Sequence, residues 1–360
     1  MQRHTSTYLD LVRFMAAMVV FIGHTSGGRL GGGLGWQLAP FMDEAVTVFF
    51  VISGYVIGYV TCQREATSGI YATARAARIY SVAVPALAAT AVLDLVGGSL
   101  DPGLYSSVRG GQEAMHGLEY LGALIFVNYF WYSSVIVGSN LAYWSLCYEV
   151  WYYVVFGVLM FAKGPWRWLA AALLLACVGP RIAGLFPVWL FGVAAFRIGA
   201  SGRVGRRVGM LLFWGSIGLL VGHQFWIARY GALPGLFGDA LGMPDITNVY
   251  VVGLLVAAHL VGCNAVKTSF GGLLDVLERP IRWCAGATFT IYLFHMPLIL
   301  FFASINPWPP TYWVSQLAVF GGTLVVMFVI AEFTERRKEV WRRGIAGLPR
   351  LFAASRVTAR

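Results

Sequence analysis

A chain of 360 residues would ordinarily suggest two or three soluble domains, but 58% of it is hydrophobic and only 12% charged, against about 45–50% and about 25% in soluble proteins. That excludes an ordinary soluble enzyme. Thirteen Trp, 17 Tyr and 24 Phe bring the aromatics to 15%, and the apolar residues gather in blocks, the pattern of a polytopic all-α membrane protein. The formal charge of +10, from 26 Lys+Arg against 16 Asp+Glu, fits basic cytoplasmic loops better than nucleic-acid binding.

In chain order, apolar blocks begin near Tyr8, Ala45, Ile79, Glu119, Trp144, Trp168, Ile182, Val208, Asn248, Ala285 and Tyr312. These are eleven candidates for a bilayer that needs roughly 20 residues per helix. Eleven spans from a cytoplasmic N-terminus would send Lys163/Arg167, Arg197/Arg203/Arg206/Arg207 and the Arg-rich tail outside, against the positive-inside tendency. The block at 119–138 carries Glu119, Asn128, Ser133 and Ser134, and is expected to be re-entrant or interfacial. Ten spans then remain, with both termini cytoplasmic. Lys and Arg divide into 21 cytoplasmic and four external (Arg29, Arg109, Arg181, Arg229), with Arg13 left inside the first span. Arg13 and the absence of a small-residue cleavage pattern after His24 make that first block a retained span rather than a signal peptide. The connections are too short for an attached soluble domain, and the five Cys show no pairing pattern. Any chemistry must therefore sit among the helices.

Ionisable groups inside a span cost several kcal/mol and mark functional sites. In the first block, Arg13 and His24 are eleven residues apart, so they share one helix face about 16 Å apart along the axis. Asp10 lies one turn from Arg13 and can pair with it; an interfacial ion pair is the competing reading, and a headgroup-level histidine is that for His24. Trp144 and Ser145 open a later span, with Glu149 about 7 Å further in and on the face of Ser145. A carboxylate at that depth needs a partner, and a His24–Glu149 couple would suit a general base, although Trp144 and Ser145 also fit an aromatic belt and a helix start. His295 stands beside Pro297, which frees the carbonyl of Leu293 and should kink the helix. Packing is the alternative there, and it is the preferred reading of His259. Arg75 and Arg78 share a face at a cytoplasmic helix start and can fork onto phosphates, whether of a ligand or of lipid headgroups.

Arg13 with His24, the run Phe49-Phe50-Val51-Ile52-Ser53-Gly54-Tyr55, the pair Arg75/Arg78, Trp144-Ser145-Leu146 with Glu149, and Tyr292-Leu293-Phe294-His295-Met296-Pro297 occur in this order. The sequence thus resembles the acyltransferase-3 family of integral-membrane enzymes that O-acylate bacterial surface sugars and related acceptors, over about residues 8–335. Glu335-Arg336-Arg337 lacks the proline that often follows this point in the family. The resemblance implies a membrane acyltransferase domain at 1–335 and a basic cytoplasmic tail at 336–360, in a bacterial inner membrane. It implies His24, Glu149 and Arg13 as catalytic residues, and Asp10, Arg75, Arg78, Trp144, Ser145 and His295 as substrate-binding ones. It further implies acetyl-CoA or another acyl-CoA as a donor substrate rather than a resident cofactor, a sugar, glycan or glycolipid acceptor, and neither a metal nor a nucleic-acid partner. A proton-coupled secondary transporter is the rival reading, since it too would use intramembrane charges; against it, no inverted repeat is visible.

Overall fold

The computed structural model describes residues 3–108, 117–231, 246–266 and 271–357, together with Leu233 and Met243, and leaves the side chains of 264, 265 and 348–357 undescribed. Arg109 and Lys267, counted above among the loop charges, lie outside the described residues. Among those described, the only strand-like pairing is a single bridge between Val137 and Asn140, and nine helices are long and apolar enough to cross a membrane.

Helix α1 (Arg3–Thr25) is unbroken, so Arg13 and His24 do share a face. The chain turns through α2 (Gly28–Gly31) and a tight segment at Trp36–Phe41 into α3 (Met42–Gln63). The turn is close: a Cβ on Gly23 would lie 2.6 Å from the Met42 side chain. Helix α4 (Ser68–Leu100) starts at a Thr67 cap, whose hydroxyl accepts from the Ile70 N–H. After α5 (Pro102–Val108), the block expected to re-enter is a seven-residue helix, α6 (Leu118–Leu124), followed by turns rather than a span.

Helices α7 (Tyr143–Phe161) and α9 (Pro180–Ala200) both run parallel to α3. Trp144 meets Phe50 while Tyr153 reaches Ser53; Trp189 meets Ser53 while Phe196 packs on Tyr59. Helix α8 (Trp166–Val178) must therefore return between them and supplies the tenth crossing. Its thirteen residues span about 20 Å, less than the roughly 30 Å hydrocarbon core. The 125–138 segment caps this short crossing: the Trp131 N–H donates to Val178 O (2.9 Å), and Arg181 donates to Tyr132 O and Ser134 Oγ (3.3 and 2.8 Å). The polar stretch that weakened this block as a span thus serves as the seal above a short helix.

The chain continues through α10 (Arg206–Tyr230) and α11 (Ile246–Val266) to the amphipathic α12 (Gly271–Ala285). On one side α12 pairs with α1, through Arg3–Glu278, His4–Asp275 and Arg282–Asp10. The two arginines hold the Glu278 carboxyl down at about 2. On the other side Leu273, Val276 and Trp283 are exposed, as in a helix lying in a membrane interface. Helix α13 (Thr288–Ile305) is the most enclosed span; α14 returns as Trp313–Gln316, a π-helical stretch Leu317–Gly321 and Gly322–Phe333, and α15 (Lys338–Val357) follows. Ten crossings place the chain's two ends on one face, which we call the Arg13 face, opposite the His24 face.

One crossing positions the site. A Cβ on Gly54 would lie 2.0 Å from Trp189 O, and one on Gly192 would lie 1.9 Å from Val51 O. These glycines let the α3 and α9 backbones touch, as small residues do in membrane bundles, and so bring the Trp189 indole to Ser53.

The trace makes a direct topological prediction. In a cysteine-free background, an impermeant maleimide added to sealed vesicles of one orientation should label cysteine at Trp308 or at Arg203, but not both, because the α13–α14 and α9–α10 links lie on opposite faces. Labelling of both from the same side would contradict the ten-crossing path.

Candidate active site

A cavity opens among α1, α3, α4, α7 and α13. At its Arg13-face end stand three guanidiniums, Arg13, Arg75 and Arg78. Arg13 lies 3.5 Å from Asp10 and donates to Ala285 O at 3.2 Å. Arg75 pairs with Glu65 at 2.7 Å and packs over the rings of Tyr71 and Tyr153. The Arg78 guanidinium makes no hydrogen bond or ion pair among the described residues, although the charges of Glu149, Glu335 and Asp10 act on it from a distance. It is a cation that a ligand anion can claim.

Beneath this end, Glu335 supplies a feature that its neighbouring sequence did not suggest. Its Oε2 accepts from the backbone N–H groups of Phe289 (2.9 Å) and Thr290 (3.1 Å). A partly buried carboxylate thus caps the N-terminus of α13, where the helix dipole favours negative charge, and its charge also bears on Arg13 and Arg78. Glu335, two residues before the position that lacks the family's proline, is therefore an electrostatic anchor for the helix that carries Tyr292 and His295.

The expected His24–Glu149 couple does not form. Glu149 lines the cavity, but its Oε1 accepts from Ser53 Oγ at 2.5 Å and from the Tyr153 hydroxyl. Ser53 is in turn reached by Trp189 Nε1 at 3.1 Å. The reason is local: Tyr153 lies one turn along the same helix face, and the Gly54–Gly192 crossing delivers Ser53 and Trp189, so the carboxylate is satisfied before His24 comes within reach.

His24 lies instead against His295, with ring centroids 5.2 Å apart and planes inclined by 31°. A polar path connects this pair to the cavity. Ser145 Oγ lies 2.7 Å from Tyr292 OH, both residues line the cavity, and the Tyr292 ring is 6.1 Å from that of His295. Pro297 remains within α13, and the Leu293 carbonyl it frees accepts from Asn140 Nδ2 at 2.9 Å. Sequence reading named the freed carbonyl but not its donor, because the contact joins residues 153 positions apart. Tyr153, by contrast, could have been found from its four-residue spacing to Glu149.

A second cavity lies towards the His24 face, with Asp43, Glu44, Thr47, Trp144 and Asn248 among its walls. It shares Val46 and Phe50 with the first, so Trp144 and Ser145, consecutive on α7, line different cavities. Glu44 accepts from Gln224 at 2.5 Å. His259 is a packing residue, as expected: Tyr8 OH lies 2.6 Å from its Nε2, Ser216 Oγ lies 3.2 Å from its Nδ1, and its ring stacks on Phe213.

Removing the Glu335 carboxylate should orphan two N–H groups of α13. Glu335→Ala is expected to lower stability by about 1–2 kcal/mol, seen as a fall in the thermal unfolding midpoint of the detergent-solubilised protein. Glu335→Gln, which keeps an acceptor, should recover part of the loss; an unchanged midpoint in the alanine variant would remove the anchoring role.

A family model described as an acyltransferase domain, Acyl_transf_3, matches residues 6–332. No curated protein and no solved structure gives a match. The matched segment takes in α1 through α14 and with them both cavities, the three arginines and the histidine pair, and on that extent the chain belongs to the acyltransferase-3 family of membrane acyltransferases.

Proposed function

We propose that this membrane acyltransferase takes an acetyl group from acetyl-CoA on the cytoplasmic side and delivers it to a hydroxyl of an extracytoplasmic sugar or glycan, in a bacterial inner membrane. The observation that carries the reading is the cavity that holds the unpaired Arg78 beside Arg13 and Arg75 at one end and reaches Ser145 and Tyr292, neighbours of the histidine pair, at the other. Guanidiniums in this number suit the phosphates of a nucleotide-bearing donor. The positive-inside tendency assigns the Arg13 face, with most of the basic residues, to the cytoplasm. The apolar walls supplied by Phe49, Phe50 and Phe289 suit a thin uncharged arm, which would carry the thioester the roughly 16 Å from the level of Arg13 to that of His24.

The second cavity supports the acceptor half of the reading. Glu44 and Asn248 offer hydrogen-bonding groups for hydroxyls, and Trp144 offers a face for a sugar ring. In the transfer, the acceptor oxygen attacks the thioester carbonyl carbon and the carbon–sulfur bond breaks. His24 takes the hydroxyl proton and returns it to the departing thiolate, so that an ester and free CoA are the products. Glu149, held by Ser53 and Tyr153, serves as a fixed negative charge between the arginines and the reacting end. Asp10 restrains Arg13 rather than meeting substrate.

Incubating the nanodisc-reconstituted protein with radiolabelled acetyl-CoA and a panel of methyl glycosides should release CoA and transfer label to sugar. His24→Ala should abolish both while leaving membrane insertion intact. Arg78→Ala should weaken acetyl-CoA binding about 10-fold or more, the loss expected for one charge-assisted contact to a phosphate. Full activity in the His24 variant, or solute uptake with no CoA release, would favour a transporter over this reading.

A further inference from the structure

His295 is fully enclosed, at 0% exposure, and its two ring nitrogens have opposite circumstances. Nδ1 lies 2.8 Å from Tyr292 O and 3.1 Å from Ile291 O. Carbonyl oxygens only accept, so Nδ1 carries the proton in the neutral ring. Nε2 is therefore the lone-pair nitrogen, and among the described residues it is buried without a hydrogen-bond partner. A buried acceptor left unpaired costs about 1–3 kcal/mol, and such a group in a native site calls for a donor that comes and goes.

The aromatic neighbours of that ring are Tyr292, at 6.1 Å, and His24, at 5.2 Å. Ser145 Oγ donates to Ala142 O at 3.3 Å, which leaves the Tyr292 hydroxyl to donate to Ser145 and so engages its one proton. The His24 ring makes no hydrogen bond among the described residues, so it can turn. Two imidazoles with centroids 5.2 Å apart can bring a pair of nitrogens to about 3 Å by rotation alone, which is hydrogen-bond length. The support behind His295 is rigid. The Leu293 carbonyl, which Pro297 would leave bare, is held by Asn140 Nδ2, and α13 is anchored at its start by Glu335.

We infer that His295 is the positioning residue for His24: its Nε2 accepts the N–H of His24, presents the other His24 nitrogen to the acceptor hydroxyl, and stabilises the imidazolium formed when that hydroxyl loses its proton. The inference rests on the acyl-transfer reading above and assigns to His295 the orienting part first expected of Glu149. No net chemistry is added. The proton moves from the hydroxyl oxygen to His24 and then to the CoA thiolate, while His295 keeps its own Nδ1 proton throughout. The arrangement has the logic of a catalytic triad in which a third group fixes the tautomer of the base, with an imidazole lone pair in place of a carboxylate.

Three substitutions separate this role from mere packing. His295→Gln keeps an acceptor near the Nε2 position, His295→Asn keeps a donor for the α13 carbonyls but loses the far acceptor, and His295→Phe keeps only the shape. The probe is ¹⁵N-histidine NMR of the protein in nanodiscs, with the His24 signal identified by its loss in His24→Asn, alongside acetyl-CoA binding and CoA release. The wild-type protein and the glutamine variant should show one dominant His24 tautomer. The asparagine and phenylalanine variants should show a mixture, with CoA release lower by about 10²-fold and acetyl-CoA binding within about two-fold of wild type, since His295 lies away from the donor phosphates. An unchanged His24 tautomer in the asparagine and phenylalanine variants, or a glutamine variant no better than phenylalanine, would overturn the assignment. If wild-type protein neither binds nor cleaves acetyl-CoA, the acyl-transfer reading fails instead, and the tautomer comparison still decides whether the two histidines are coupled.

Discussion

A guanidinium within a membrane-spanning bundle is expensive unless other groups compensate its charge, and three of them converge on one cavity here. Their compensation is unequal. Arg75 has Glu65 within 2.7 Å, Arg13 has Asp10 and a backbone carbonyl, and Arg78 has only the field of carboxylates further away. The carboxylates are themselves restrained: Glu149 by Ser53 and Tyr153, and Glu335 by the N–H groups that open α13. The cavity thus keeps most of its charges in place through short contacts, and of its three guanidiniums that of Arg78 is left without an ion pair among the described residues. Most of the remaining architecture, from the α12 clamp on α1 to the start of α13, holds these groups at one level of the membrane.

The opposite end follows a different economy. His24 and His295 face each other without a carboxylate, and the polar atoms around them are backbone carbonyls, Asn140, Tyr292 and Ser145. On the proposed reading, a phosphate-bearing donor would be drawn to the arginine end, and the Asp43 and Glu44 of the second cavity would disfavour its phosphates there. Charge would then separate the two proposed substrates along the membrane normal, with Phe50, shared by both cavities, at the boundary.

Much of this was legible in the sequence because it depends on spacing within one helix. The eleven residues from Arg13 to His24, the approach of Asp10 to Arg13 and the cost of Pro297 are local facts. The polar content of 119–138 likewise showed that it would not be an ordinary span. What could not be read were contacts set by helix crossings. Glu149 turned to Ser53 because Gly54 and Gly192 let α3 and α9 touch. Asn140 reached Leu293, and His295 reached His24, from distant parts of the chain. The shortness of α8 also escaped notice, because an apolar block does not record that another segment will cap it from above.

The most direct measurement is a cryo-EM reconstruction of the protein in nanodiscs with a non-cleavable thioether analogue of acetyl-CoA. The account predicts density for the phosphates against Arg75 and Arg78, the pantetheine arm along the cavity past Phe49 and Tyr292, and the acyl end beside His24 and His295. Density for the analogue outside this cavity, or with its phosphates at the histidine end, would contradict it.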